Sequence, residues 1–286
     1  VQARGVAVTN FGMVDNAEAA QAALGRMKAA DLDLVFCDMV TYATSCTVAP
    51  ILRNLDVPLV LVALQPRSRL DYENATIRMQ LENDNICSLP EFAGVAVRLG
   101  KQVPPTVIGT LHDDLEAQRE LTRWCSIAKV LHDLKGARIG HFGHPLEAML
   151  DMHTDPTALT AAFGLHVVQT EIDDLERLHR TVTDAEVEAK RSELLEVFDT
   201  PDPGADALAT RLTEADLAAA ARAAVALDKF VEEFHLDGLA YYYKGEAGSE
   251  RERLAASLIV GNSLLTAGGF PMCGESDLKT CVAMLI

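Results

Sequence analysis

Apolar residues fall into two kinds of run along this chain. Short, nearly continuous ones cover residues 5–9, 32–40, 58–64, 137–144, 164–171 and 236–243, several of them rich in Val and Ile. Between them lie longer stretches, often Ala-rich, in which apolar and polar positions recur with helical spacing: residues 17–30, 49–55, 116–134, 182–198, 217–235 and 250–266. The first kind predicts strands, the second helices. Strand alternating with helix at this spacing predicts an α/β fold in which parallel sheets are covered on both faces.

Local signals refine that pattern. Asp113 or Asp114 is placed to cap the helix that runs to Leu134, and residues 107–110 read as an edge strand. Thr183-x-x-Glu186 fits a capping box, and Thr213-x-x-Asp216 opens another helix. Thr200-Pro-Asp-Pro-Gly204 is a clear break. Gly136 marks the expected boundary between two domains, residues 1–135 and 136–286. Residues 66–90 are polar and irregular, and so long a loop is usually functional or interfacial.

The chain's 286 residues suffice for a large core, and 49% hydrophobic with 23% charged residues is ordinary for a globular protein. A net charge of −17 argues against nucleic acid and anionic membranes, which need clustered Lys and Arg. No stretch of 18 apolar residues predicts a membrane span. Six cysteines without a C-x-x-C pair read as reduced thiols of a cytoplasmic protein, Cys273 as packing rather than a reactive thiol. Neither a Walker A sequence nor G-x-G-x-x-G nor G-x-S-x-G occurs, which disfavours nucleotide and serine-hydrolase readings.

The chemistry concentrates near the end. A helical run stops at Gly268-Gly269, and a short apolar segment leads to Cys273-Gly274-Glu275-Ser276-Asp277-Leu278-Lys279-Thr280. Ser276 or Asp277 reads as the N-cap of a last helix. Glu275 precedes the cap and is a poor capping type, so a second explanation is needed. A carboxylate on a tight turn at the end of a short strand stands where parallel sheets bind ligands. Gln65, Tyr243 and His144 also end predicted strands. For Tyr243, core packing is the competing reading. His141-x-x-His144, with Asp151 and His153, suggests a metal cluster; substrate contact and structural hydrogen bonding compete with that.

The run from Cys273 to Thr280 resembles the G-E-G-D-[LW]-K-[TA] signature of the L-arabinose isomerase family, related to the L-fucose isomerases. Leu64-Gln65-Pro66, Gly140-His141-Phe142-Gly143-His144 with Met149-Leu150-Asp151-Met152, and Tyr241-Tyr242-Tyr243 with residues 259–265 fit the same family in the same order. The resemblance implies two consecutive Rossmann-like, flavodoxin-like parallel-sheet domains. It implies a metal-dependent aldose–ketose isomerase acting on L-arabinose or a similar pentose or deoxyhexose. It further implies a homo-oligomer with sites between subunits, the 66–90 loop reaching toward a neighbour.

By that resemblance Glu275 is the first of two glutamates that, with two histidines, bind Mn²⁺ (or Mg²⁺ or Co²⁺) and shuttle protons through an enediol. Gln65, His144 and Tyr243 become candidate sugar contacts. The second glutamate, both histidines and the family's C-terminal barrel domain are expected beyond Ile286, so this chain alone is expected to be an inactive fragment. Ser276 stands where the signature has glycine; if the turn needs positive φ there, the strain costs roughly 1 kcal/mol. The competing expectation is a non-catalytic sugar-binding or regulatory module of the same fold.

Overall fold

In the computed structural model, which describes residues 4–199 and 213–286, the chain forms two compact units, Val1–His132 and Asp133–Ile286. The expected break at 200–204 lies outside the described residues.

The first unit holds a sheet in the order β1-β2-β3 (Val35–Asp38, Leu59–Gln65, Thr106–Thr110), all parallel. Every second residue of β2 faces one layer. Val60 and Val62 pack with Val107, Ala117 and Leu121, the last two from α5 (Leu115–Leu134). Leu61 and Ala63 pack on the other face with Leu52 of α2 (Ala49–Asn54) and Phe92 and Ala96 of α4 (Ser88–Arg98). Both faces of β2 are thus buried, as a continuous Leu/Val run requires. Helix α1 (Ala17–Ala29) is capped by Asn16, whose side chain accepts from the Ala19 amide.

The second unit has the order β5-β4-β6-β7 (His166–Thr170, Arg138–Gly143, Gly238–Tyr242, Met272–Cys273), again wholly parallel. One face packs Phe142 and Leu239 against α7 (Ile172–His179), α8 (Asp184–Val197), α9 (Glu214–Glu233), α10 (Glu250–Ala256) and α11 (Ile259–Ala267). Phe142 meets Phe230 of α9 edge-on, with ring centroids 5.8 Å apart. The other face carries α12 (Leu278–Leu285); a Cβ added at Gly238 would touch both Cys281 of that helix and Ile139 of β4. The predicted capping box of α8 at Thr183–Glu186 forms, and α9 opens at Thr213 as expected, there too with a capping box, to Asp216.

Four expectations change. Residues 5–9 form no strand: Val8 is exposed, and β propensity yields a strand only where a neighbour pairs with it. The 66–90 segment is not all irregular, since α3 (Ile77–Glu82) rises within it, capped by the Thr76 side chain on the Met79 amide. Helix is interrupted at residues 257–258, where Ser257 bonds back to the Arg253 carbonyl and α11 starts afresh. Gly261 then lets α11 approach α9, because a Cβ there would press on Ala224 at 3.0 Å. Lastly, α6 (Pro156–Phe163) and α7 flank β5 where no helix was expected.

Candidate active site at the carboxyl edge of the second sheet

Strand order fixes where this site lies. The chain leaves β4 to one side to form β5, then crosses to the other side to form β6. At such a reversal the two connections diverge and leave a crevice beyond the carboxyl ends of β4 and β6, the usual ligand position in open parallel sheets.

The carboxylate turn is bolted over that crevice. The Ser276 amide donates to the Tyr241 carbonyl of β6 at 3.1 Å. Its hydroxyl donates to the Phe142 carbonyl of β4, also at 3.1 Å, and the residue is 1% exposed. Two left-handed residues in succession, Glu275 (φ 58°) and Ser276 (φ 56°), make this bend. Each costs about 1–2 kcal/mol for a side chain other than glycine. The sequence expectation of strain at Ser276 is met, and its buried hydroxyl bond offsets part of it.

Asp277 is the cap. Its carboxylate accepts from the Lys279 and Thr280 amides at 3.0 and 3.2 Å and from the Thr280 hydroxyl at 2.6 Å. Lys279, in the first turn of α12, donates to the Asp151 carbonyl and, at 3.3 Å, to that of His153. The bend is therefore held from three sides, by β4, β6 and the cap.

Glu275 is left without such work. Its Oε2 is buried and has no hydrogen-bond partner, and the residue forms no salt bridge among the described residues. An unsatisfied buried acceptor costs about 1–3 kcal/mol, more when charged. Strained backbone of this kind clusters at functional sites, which makes the unpaired Glu275 oxygen the candidate binding feature of this edge. Beside it, burial pushes the Cys273 thiol up, with Asp277 and Glu275 adding to the shift. Burial likewise raises Cys281 to about 12. Both thiols stay protonated, and none of the six cysteines is in a disulfide, as the packing reading expects.

The other anticipated residues divide. His144 stands at the crevice, exposed: its amide donates to the Tyr242 carbonyl at 3.3 Å and its ring meets the Tyr242 ring edge-on at 5.5 Å. Its Nδ1 lies 3.1 Å from the Pro145 carbonyl, which leaves Nε2 for a ligand. Tyr243 packs against the core of the second unit, as strand alternation from Tyr241 dictates. Gln65 belongs to the first unit and donates its amide to the Asn83 carbonyl at 2.9 Å. Asn83 in turn bonds both backbone groups of Arg67, so Gln65 helps fix the start of the following loop.

His141, on the face of β4 opposite Phe142, was weighed in sequence only as half of a His pair. Its Nδ1 lies 2.9 Å from the Gln169 side-chain oxygen, and its buried Nε2 has no partner. Burial lowers its pKa; the Gln169 bond and Glu171 counter this, and His144 adds to it. This pairing across 28 residues leaves no local mark in the sequence.

A divalent ion finds one fitting donor at the bend, the unpaired Glu275 oxygen. Among the described residues no group of three or more His, Cys, Asp or Glu is arranged to hold a metal, the set around His141, His144, Asp151 and His153 included. A complete metal shell is not formed by these residues.

Known proteins give the same direction. No protein-family model matches the chain. The L-arabinose isomerase of Aeromonas hydrophila is 25% identical over 193 residues, 68% of this chain and 38% of that protein. That of a Nocardioides species is 27% identical over 194 residues, 68% of this chain and 37% of its own length. For Herpetosiphon aurantiacus the figures are 24% over 229 residues, 80% and 44%. Over most of its own length, then, this chain is similar to L-arabinose isomerases, and it spans less than half of theirs.

Proposed function

We propose that this chain carries the carboxylate half of a ketol-isomerase site acting on L-arabinose or a similar pentose or deoxyhexose. The observation that supports this is the unpaired Glu275 oxygen on a strained bend, pinned to the ends of β4 and β6. The likeness to L-arabinose isomerases supports the substrate class.

Glu275 acts as base and then acid. Its carboxylate takes the C2 proton of the open-chain aldose, the C2–H electrons form the C1–C2 double bond, and the aldehyde oxygen gains a proton to give an enediol. Return of a proton to C1, with loss of the O2 proton, gives the ketose. Ser276 holds the carboxylate in place and Asp277 anchors the helix behind it. A bound Mn²⁺, Mg²⁺ or Co²⁺ would polarise the two vicinal sugar oxygens. Glu275 is proposed as one of its ligands; the remaining donors lie outside the set described here. The same resemblance leads us to propose a homo-oligomer, which sedimentation measures directly.

The test is turnover by the complete gene product with L-arabinose and Mn²⁺. Glu275→Gln is expected to lower kcat by about 10²–10⁴-fold, the usual contribution of a positioned acid–base group. An enzyme that keeps its full rate after this substitution contradicts the role. Calorimetric binding of the sugar without metal, equally strong in Glu275→Gln, would identify a non-catalytic sugar-binding module instead.

A further inference from the structure

His141 is the second side chain near this crevice whose buried polar atom nothing satisfies. Its tautomer follows from a chain of bonds. Gln169 donates its amide N–H to the Gly143 carbonyl at 3.2 Å, which turns its oxygen toward His141 Nδ1, 2.9 Å away. A carbonyl oxygen only accepts, so Nδ1 carries the proton and Nε2 is left as a bare lone pair. Burial disfavours the imidazolium and keeps the ring neutral. Leaving such an acceptor buried and unmet is costly, and native proteins seldom do so without a use.

Two of its neighbours on this face are small. His141 shares its face of β4 with Gly143, two residues nearer the carboxyl edge, and lies in register with Ala240 of β6. Neither neighbour has a bulky side chain. Gly143 has φ 72°, and a Cβ there would overlap the Tyr242 carbonyl, so backbone geometry forbids a larger residue. The next carbonyl along β4, that of Phe142, holds Ser276 and with it the Glu275 bend.

We propose that His141 is a sugar-binding residue of this site, its neutral Nε2 accepting a hydrogen bond from a hydroxyl of the substrate. The inference rests on the isomerase reading and narrows it. A bare lone pair selects a hydroxyl donor over an anionic oxygen at that contact.

The direct experiment is two-bond ¹⁵N–¹H correlation spectroscopy of the complete gene product labelled at histidine, titrated with L-arabinose; His141→Phe assigns the signals. The expected spectrum shows the Nδ1–H tautomer, with the Nε2 resonance moving upfield as sugar binds. In kinetics, His141→Phe should raise KM about five- to tenfold, more than it lowers kcat, as for one lost hydrogen bond. His141→Gln, which keeps an acceptor, should recover part of that. An Nε2–H tautomer, or an Nε2 resonance unmoved at sugar concentrations that saturate turnover, overturns the proposal. Should His141→Phe fail to fold, His141→Gln assigns the signals and the wild-type titration decides. Full turnover by Glu275→Gln would sink the catalytic reading while the Nε2 shift still reports on His141.

Discussion

The two sheets are built from the same parts and end differently. In the first unit the order β1-β2-β3 steps one way only, so the described strands contain no reversal, and the recess beside the end of β1 is lined by Val40, Thr41, Ile77, Arg78, Leu81 and Glu82. Its strand-end amide, Gln65, is spent on the Asn83 carbonyl. Its own orphan, the buried amide of Asn85, sits in the following loop and not on a strand end. In the second unit the order reverses at β4, and the strand ends carry a carboxylate oxygen and an imidazole nitrogen left unpaired. Topology thus separates an edge whose polar groups hold the fold from one whose polar groups are held by it.

Substitutions can break that contrast, and the largest effect belongs to Glu275. Glu275→Gln should abolish most turnover yet leave thermal stability about equal, because it changes a buried oxygen that no hydrogen bond uses. A large fall in Tm would show that the carboxylate is structural after all. Gly143→Ala should destabilise by about 2–4 kcal/mol, since it combines a positive φ with overlap on the Tyr242 carbonyl. Urea denaturation measures it, and an unchanged midpoint would mean that the end of β4 is looser than described.

Smaller effects sharpen the comparison. Asp277→Ala should cost about 1 kcal/mol as a lost helix cap, and should also lower kcat by loosening the bend that carries Glu275. Gln65→Ala should cost about 1 kcal/mol of stability for one hydrogen bond. An unmoved KM in that variant would remove Gln65 from the candidate sugar contacts. The weakest lever is pH. Thr183 and Lys229 hold Glu186 down at about 2, below the ordinary carboxylate value of 4.5. A carboxylate whose folded pKa is depressed stabilises above its unfolded pKa and loses that contribution as pH falls. The urea midpoint should therefore drop between about pH 5 and pH 2, and drop less in Glu186→Gln.

Most of the α/β alternation was readable because its signals are local. The Thr183 and Thr213 capping boxes form where the spacing places them, and β2, buried on both faces, reads as an unbroken apolar run. The carboxylate bend was readable for the same reason: Gly274, Glu275 and the Asp277 cap are contiguous. Failures came where the deciding partner is remote or atypical. The segment at 5–9 has strand composition but no neighbour to pair with. The α7 box uses Glu171 and Asp174 in place of a Ser or Thr cap. The His141 lone pair depends on Gln169, a strand away, and on the Gly143 carbonyl that orients it.

The most direct measurement is solvent exchange at the sugar carbon. In D₂O the complete gene product with L-arabinose should deposit deuterium at the carbon that gains a proton, and Glu275→Gln should deposit it about 10²–10⁴-fold more slowly while remaining folded. Deuterium entering at the wild-type rate in that variant would contradict the assignment of Glu275 as the group that moves the proton.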